Sequence, residues 1–121
     1  MGPESVRNLR IWQEGMAVVK ETYALTAAWP KAEVFGLTSQ VRRAAISVPA
    51  NLAEGRGRGT NPEMARFAQV ALGSLYELDT LLEIAGELGF PKSEQIPHLR
   101  LQLSDLSRHI SSFIHVKRRA S

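Results

Sequence analysis

The sequence predicts an all-α fold, an antiparallel up-down-up-down bundle of four helices. Apolar side chains recur at alternating spacings of three and four residues in four separate stretches, the pattern of helices that each bury one stripe. Prolines and glycines separate these stretches and mark the turns. No segment alternates apolar and polar residues over the length of a strand. Short connections between amphipathic helices favour antiparallel neighbours.

Composition sets broad limits on the protein. Its 121 residues are the length of one domain, which we place at residues 1–121. Cysteine is absent, which excludes disulfides and thiolate metal sites. The N-terminus carries no signal-peptide pattern, and no apolar run is long enough to cross a membrane, so a cytoplasmic location without membrane association is expected. The formal charge of +3, from 15 basic and 12 acidic side chains, is only mildly basic.

The first helix is predicted over residues 6–29, because Pro30 lacks the backbone donor that would continue it. Its expected core stripe consists of Leu9, Trp12, Met16, Val19, Tyr23 and Thr26. Further apolar side chains lie beside this stripe and off the stripe of the fourth helix. Either the apolar face of the first helix is wide, or these side chains meet another surface. Because they exceed the need of one core, we predict that they contact a second copy of the chain: Ile11, Val18, Leu25, Leu101 and Ile114.

The second helix is predicted over residues 38–55, with Thr38 or Ser39 as the N-cap and Gly55 at its end. Its core stripe is Val41, Ala45, Val48 and Leu52. The glycine-rich residues 56–60 that follow are predicted to form a turn.

The third helix is predicted over residues 61–88, since Thr60 or Asn61 can cap it and Pro62 and Glu63 suit its first turn. The fourth helix is predicted over residues 93–117, with Ser93 as its cap. Both helices continue the alternating spacing. The predicted core side chains are Phe67, Ala71, Ser74, Leu78, Leu81, Ala85 and Leu88 in the third, and Ile96, Leu99, Leu103, Leu106, Ile110 and Phe113 in the fourth.

Motifs for catalysis are weak, so we expect no enzymatic activity and no cofactor or metal. His98, His109 and His115 do not stand three or four residues apart, as a helical metal-binding pair requires. No glycine-rich phosphate loop or nucleophile elbow is present. A remote alternative is a small enzyme that uses the carboxylates of Glu54 and Glu77.

Polar side chains recur at helical spacing on the second and third helices: Ser47, Asn51, Glu54, Ser74 and Glu77. Because these helices follow each other through a short turn, the polar side chains are predicted to face each other. Buried polar groups need hydrogen-bond partners, so we interpret the set as a structural polar network. The alternative is a ligand or catalytic pocket.

Charge is distributed more unevenly than its total indicates. In an up-down-up-down bundle, eight cations meet at one end: Arg7, Arg10, Arg56, Arg58, Arg66, Lys117, Arg118 and Arg119. This end is predicted to contact RNA or DNA phosphates, and few aromatics accompany it, which favours backbone contact over base stacking. Two alternatives remain: the arginines pair with Glu54 and Glu63 and leave little field, or the protein is an interaction module without a nucleic-acid role.

Two segments carry a family resemblance. The run FGLTSQVRRAAISVPANLAEGRGR at residues 35–58 resembles the signature of the four-helix bundle proteins named for 23S ribosomal RNA intervening sequences. The run FAQVALGSLYELDTLLEIAGELG at residues 67–89 is similar to the third helix of that family. The resemblance extends over residues 8–115. The matching positions are Gln40, Arg42, Arg43, Asn51, Glu54, Gly55, Phe67, Gly73, Ser74 and Glu77.

The resemblance implies an antiparallel four-helix bundle that assembles as a ring, typically a homopentamer. It also implies kinship with the accessory variability protein of diversity-generating retroelements, a basic pentamer thought to bind nucleic acid and a reverse transcriptase. The expected partners are therefore further copies of the chain, RNA or DNA, and a reverse transcriptase. The expected role is that of a nucleic-acid-contacting scaffold or accessory protein.

Overall fold

Four long α-helices form the protein, and residues 2–120, which the computed structural model describes, contain no strand. The all-α class is therefore confirmed. Met1 and Ser121, the ends of the predicted domain, lie outside the described residues. The helices are α1 (Arg10–Thr26), α2 (Leu37–Arg58), α3 (Asn61–Glu87) and α4 (Ile96–Arg119). Short 3-10 turns occupy Pro3–Asn8, Lys31–Glu33 and Ser93–Gln95.

One apolar core lies between the four helices. Its largest fully buried side chains come from α2, α3 and α4, including Leu52, Leu78, Leu106 and Ile110. Alanines on α2 and α3 fill the narrow space between those helices, where Ala45, Ala68 and Ala71 are all buried. Burying these side chains drives the helices together, since isolated helices of this length are only marginally stable in water.

The core face of α1 differs from the prediction. It consists of Ile11, Gly15, Val18, Thr22 and Leu25, which have the expected spacing of four and three residues but lie beside the predicted stripe. Tyr23, which we assigned to the core, is 39% exposed. The sequence misled because a glycine and a threonine interrupt the true stripe, so that the neighbouring stripe appeared more apolar.

The predicted contacts between copies are wrong for four of their five residues. Ile11, Val18, Leu25 and Ile114 are each at most 5% exposed and belong to the core of the single chain. Leu101 alone remains on the surface, at 66% exposure. The extra apolar side chains are therefore used within one bundle, whose core-facing surfaces are wider than one seam per helix.

The first helix is shorter than predicted at both ends. Leu9 is extended between the first 3-10 turn and α1, and α1 ends at Thr26. Trp29 follows the helix and is buried, with its indole Nε1 donating a hydrogen bond to the Pro91 carbonyl at 3.1 Å. The Trp29 ring also meets the Phe90 ring edge-on at 5.1 Å. This anchor fastens the α1–α2 connection to the α3–α4 connection.

The second helix starts and ends differently from the prediction. Neither Thr38 nor Ser39 caps it; the Glu33 carboxylate accepts a hydrogen bond from the Leu37 amide at 3.2 Å instead. The helix continues through the predicted turn to Arg58. Gly59 ends it in the left-handed conformation (φ +83°), which glycine adopts without strain.

The start of α3 follows the prediction: the Thr60 hydroxyl accepts a hydrogen bond from the Glu63 amide at 3.3 Å. The helix ends at Glu87, one residue early. Ser93 does not cap α4 but begins a 3-10 turn that leads into it. At its far end α4 extends to Arg119, so Lys117, Arg118 and Arg119 are all helical.

Side-chain contacts pair late residues of one helix with early residues of its neighbour. Arg42 of α2 donates to Thr26 of α1 at 2.8 Å, and Arg100 of α4 donates to Asp79 of α3 at 2.7 Å. Between α1 and α4, Gln102 donates to Glu21 at 3.1 Å. These contacts tie α1 to α2 and α4, and α4 to α3 as well.

The helices α2 and α3 lie close together at Gly55, which is buried. A Cβ atom there would lie 2.9 Å from the Phe67 Cβ and 3.3 Å from the Met64 Cα. Gly73 of α3, in contrast, has no neighbouring atom within 4 Å of such a Cβ. The close contact between these helices therefore depends on Gly55.

We predict opposite effects of alanine at these two helical glycines. Gly55→Ala should lower the free energy of unfolding by about 1–3 kcal/mol, because the methyl group overpacks the contact with Phe67 and Met64. Gly73→Ala should raise it by about 0.5–1 kcal/mol, because alanine favours the helix and meets no neighbour. Urea denaturation measures both. Equal effects of the two substitutions would contradict the close approach at Gly55.

Candidate nucleic-acid interface

Contacts between helices connect the segments that carry the predicted cations. The end of α2 meets the start of α3 at Gly55, and Arg118 near the end of α4 donates to Gln69 of α3 at 3.4 Å. The start of α1 reaches α4 where the Glu14 carboxylate lies 2.8 Å from His109 Nδ1. We call this region the basic end, defined by the eight predicted cations: Arg7, Arg10, Arg56, Arg58, Arg66, Lys117, Arg118 and Arg119.

Three cations of the basic end are paired with carboxylates. Arg58 lies 3.0 Å from Glu54, and Arg66 lies 2.8 Å from Glu63. Arg10 lies 3.3 Å from Glu14. For Arg58 and Arg66 the pairing alternative is correct, and the ion pair of Arg10 with Glu14 was not predicted. The spacing of three or four residues in each pair is a sequence signal for such contacts.

The ring of Phe67 holds two of these arginines against the helix surface. The guanidinium carbon of Arg66 lies 4.4 Å from the ring centroid, and that of Arg58 lies 5.0 Å from it. Cation–π contact and ion pairing therefore act on the same two side chains. This arrangement fixes the arginines beside the close contact of α2 with α3. The sequence did not predict this role of Phe67, which we had assigned to the core.

Four further arginines of the basic end have no carboxylate partner among residues 2–120. Arg7, Arg56 and Arg119 make no side-chain hydrogen bond or ion pair within residues 2–120. Arg118 contacts only the neutral Gln69 amide. The Nε atom of half-buried Arg56 is shielded from solvent and lacks a hydrogen-bond partner among the described residues. The uncompensated positive charge thus lies on these four arginines.

Lys117 is the remaining cation of the basic end, and it contacts an aromatic ring. Its ammonium group lies 5.3 Å from the Phe113 ring centroid. This contact keeps the charge at the last turn of α4, where a cation is favourable because of the helix dipole.

The predicted polar network is present for three of its five residues. The Ser47 and Ser74 hydroxyls lie 2.7 Å apart, and the Asn51 amide donates to Ser47 Oγ and to the Ser47 carbonyl, both at 2.8 Å. Ser74 in turn donates to the Val70 carbonyl at 3.2 Å. A chain of hydrogen bonds therefore joins α2 to α3, as the structural interpretation requires.

Glu54 and Glu77 do not belong to this network, which corrects the prediction. Glu54 bonds to Arg58, and exposed Glu77 makes no side-chain hydrogen bond within residues 2–120. Both carboxylates stay in water because hydration favours their charge more than the small seam between the helices does. Glu77 lines a pocket of about 390 Å³ with Gln40, Arg43, Ala44 and Ser47, and Glu54 is not part of that lining.

The described part of the chain contains neither a cluster of metal-ligating side chains nor a membrane-spanning helix. Residues 2–120 contain no group of three or more histidine, aspartate or glutamate side chains placed to hold a metal ion. No described helix is both long and apolar enough to cross a membrane.

The pairing of Arg66 with Glu63 lowers the pKa of the Glu63 carboxyl, so a pH titration can test it. The hydrogen bond from Arg66 holds the pKa of the Glu63 carboxyl below the ordinary value of 4.5. A lowered pKa means that the pair contributes stability above pH 4.5 and loses it as the pH falls through the folded-state pKa.

We predict that Arg66→Gln raises the pKa of Glu63 towards its ordinary value, because the guanidinium donor is lost. Side-chain carboxyl NMR during a pH titration measures this. Arg108→Gln on α4, far from Glu63 in sequence and paired with Asp105, is the control and should leave the Glu63 titration unchanged. An unchanged Glu63 pKa in Arg66→Gln would contradict the pairing.

Comparison with known proteins identifies the family of this chain. No curated protein sequence matches the chain. The family model described as 23S rRNA-intervening sequence protein matches residues 7–112, which include all of α1, α2 and α3 and most of α4. The chain therefore belongs to the family of 23S rRNA-intervening sequence proteins.

Proposed function

We propose that this protein is a non-enzymatic, cytoplasmic scaffold or accessory protein that contacts RNA or DNA phosphates through its basic end. The observation that carries the proposal is a set of arginines that have no carboxylate partner in the described part of the chain: Arg7, Arg56, Arg118 and Arg119. Unpaired guanidinium groups on one surface attract phosphates and release counterions when they bind. Membership of a family named for an intervening sequence in ribosomal RNA supports the same choice of partner.

The proposed topology is the antiparallel up-down-up-down bundle. Its support is the pairing of late with early residues in neighbouring helices, as for Thr26 with Arg42 and Asp79 with Arg100. The contact of Arg118 with Gln69 continues the pattern at the basic end. In this topology the paired and unpaired arginines share one end, and a single nucleic-acid segment can span several of them.

Assembly into a homo-oligomeric ring, typically a pentamer, is the second part of the proposal. It rests on the family resemblance and on exposed apolar side chains of α3 and α4, because Tyr76 and Leu101 are both 66% exposed. These two side chains line an open groove of about 640 Å³ whose floor includes Leu75 and Ile96. A ring would cover such a surface by repeated contact. Sedimentation equilibrium that returns a monomer at tens of micromolar would contradict it.

A reverse transcriptase remains a proposed protein partner, on the resemblance alone. The competing function, a protein-interaction module without nucleic acid, is favoured by the loop before α2. Phe35 there is 96% exposed, and its neighbour Val34 is 45% exposed. The two functions differ in one respect: phosphate binding requires the unpaired arginines, whereas an interaction through this loop does not.

We predict that removing two unpaired arginines weakens binding and its salt dependence together. Arg118→Gln with Arg119→Gln should reduce the slope of log K against log salt by up to about 1.8 for duplex, or about 0.9 per lost phosphate contact. Fluorescence anisotropy with structured RNA and duplex DNA at several salt concentrations measures the slope.

Lys20→Gln with Lys31→Gln is the matched control, because it removes the same charge from exposed positions outside the basic end. Arg58→Gln should have a smaller effect than loss of an unpaired arginine, since Glu54 already compensates Arg58. Binding that is absent at low salt, or that the control weakens as much as the arginine variant does, would refute the proposed role of the basic end.

A further inference from the structure

A groove at the basic end has both charge and an apolar floor. Pro62, Ala65 and Val70 of α3 form the floor, and the groove has a volume of about 530 Å³. Arg66, Gln69 and Arg118 line its sides. The volume lies within the range of small-ligand sites.

We propose that this groove holds an unpaired nucleobase of a single-stranded segment, while the arginines contact the flanking phosphates. The inference rests on the proposed nucleic-acid function and names the form of nucleic acid that fits. A phosphate alone requires no apolar floor, whereas a nucleotide presents an apolar ring face and an anion together. The groove offers a complement to each.

Part of the apolar floor is exposed to solvent, although Ala65 within it is buried. Val70 is 45% exposed although it is apolar, and it lies one helical turn from exposed Arg66. Burying its side chain under a flat ring would remove apolar surface from water. The floor is aliphatic rather than aromatic, so ring contact here differs from the aromatic stacking that the composition disfavoured.

The polar sides suit a base and its phosphates. Arg118 donates to the Gln69 side-chain oxygen at 3.4 Å, a long contact that holds the planar amide beside the floor. An amide of this kind offers donors and an acceptor to a base edge, and guanidinium planes stack on bases that have left a helix. Among the described residues no carboxylate lines the groove, so none of them repels a phosphate there.

This geometry favours single strands over duplexes. A base within a duplex keeps its ring faces stacked on its neighbours, and its removal from the stack costs free energy. A single strand presents the ring without that cost. An acidic amphipathic protein segment also combines charge with apolar surface, but it has no planar edge for Gln69 to recognise. The experiment must therefore distinguish an acidic protein segment from a single strand as the occupant of the groove.

Fluorescence anisotropy with three labelled probes of equal charge tests the proposal: a single strand, the same strand with abasic sites, and a polyglutamate peptide. The full-length protein should bind the strand about fivefold or more tightly than the abasic strand. Val70→Ser should weaken binding of the strand about three- to tenfold and leave the abasic strand unchanged, because only floor area is lost.

Ile84→Ser is the matched control, since Ile84 is also a β-branched residue of α3, is 41% exposed and lies outside the groove. It should keep the preference for bases, and circular dichroism should confirm that both variants fold. Equal affinity for the base-containing and abasic strands, or a preference that survives Val70→Ser, would overturn the groove proposal. Salt-dependent binding would then still support the proposed function.

Two other results would decide against the groove in different ways. Polyglutamate that binds as tightly as the strand and is weakened by Val70→Ser would assign the groove to an acidic protein segment. Absence of binding to either strand at low salt would overturn both the groove proposal and the proposed function.

Discussion

The close packing of α2 against α3 is the constraint on which the rest of the molecule depends. Gly55 permits the approach, because any side chain there would meet Phe67 and Met64. Farther along the same contact, Ser47 and Ser74 bond across it at 2.7 Å, and buried alanines fill the space between. Small residues and a short chain of hydrogen bonds thus replace the bulky side chains found elsewhere in the core. The two helices are joined only by Gly59 and Thr60, so this contact also fixes the tight turn.

The same packing determines the electrostatics of the basic end. Phe67 packs beside Gly55 and places its ring under Arg58 and Arg66, whose carboxylate partners are one helical turn away. The charges of Arg58 and Arg66 are therefore mostly balanced. Uncompensated charge comes from the first 3-10 turn, from Arg56 and from the end of α4. A count of basic residues alone does not distinguish arginines that pair with a carboxylate from arginines whose charge is free to attract a phosphate.

Much of the fold was predictable from the sequence, because the four periodic stretches and their breakers depend on local chemistry. The start of α3 at Thr60 is an example, since capping involves residues only three positions apart. The face of α1 was not predictable in the same way. Gly15 is buried there because Val48 and Pro49 of another helix pack close to it, and Thr22 because the helix places it in the core. Such burial is decided by tertiary packing and not by the residue's own hydrophobicity.

The candidate site was predictable in composition but not in detail. The sequence predicted correctly that Ser47, Asn51 and Ser74 are in contact, whereas the gathering of the eight cations at one end stays a prediction. It could not place Glu54 and Glu77 in solvent, because spacing along one helix does not decide which side chains at the edge of its face the neighbouring helix covers. It also missed the groove beside Val70, which exists only because the end of α4 reaches Gln69.

The packing of α2 against α3 is tested most directly by the formation of a disulfide between the two helices. The chain has no cysteine, so Ser47→Cys with Ser74→Cys introduces only two thiols, at positions whose hydroxyls now lie 2.7 Å apart. Under mild oxidation both thiols should disappear within a single chain, as thiol titration and non-reducing electrophoresis measure, and the helical content should be retained. Thiols that stay free, or that link only separate chains, would contradict the packing of α2 on α3 from which the basic end is derived.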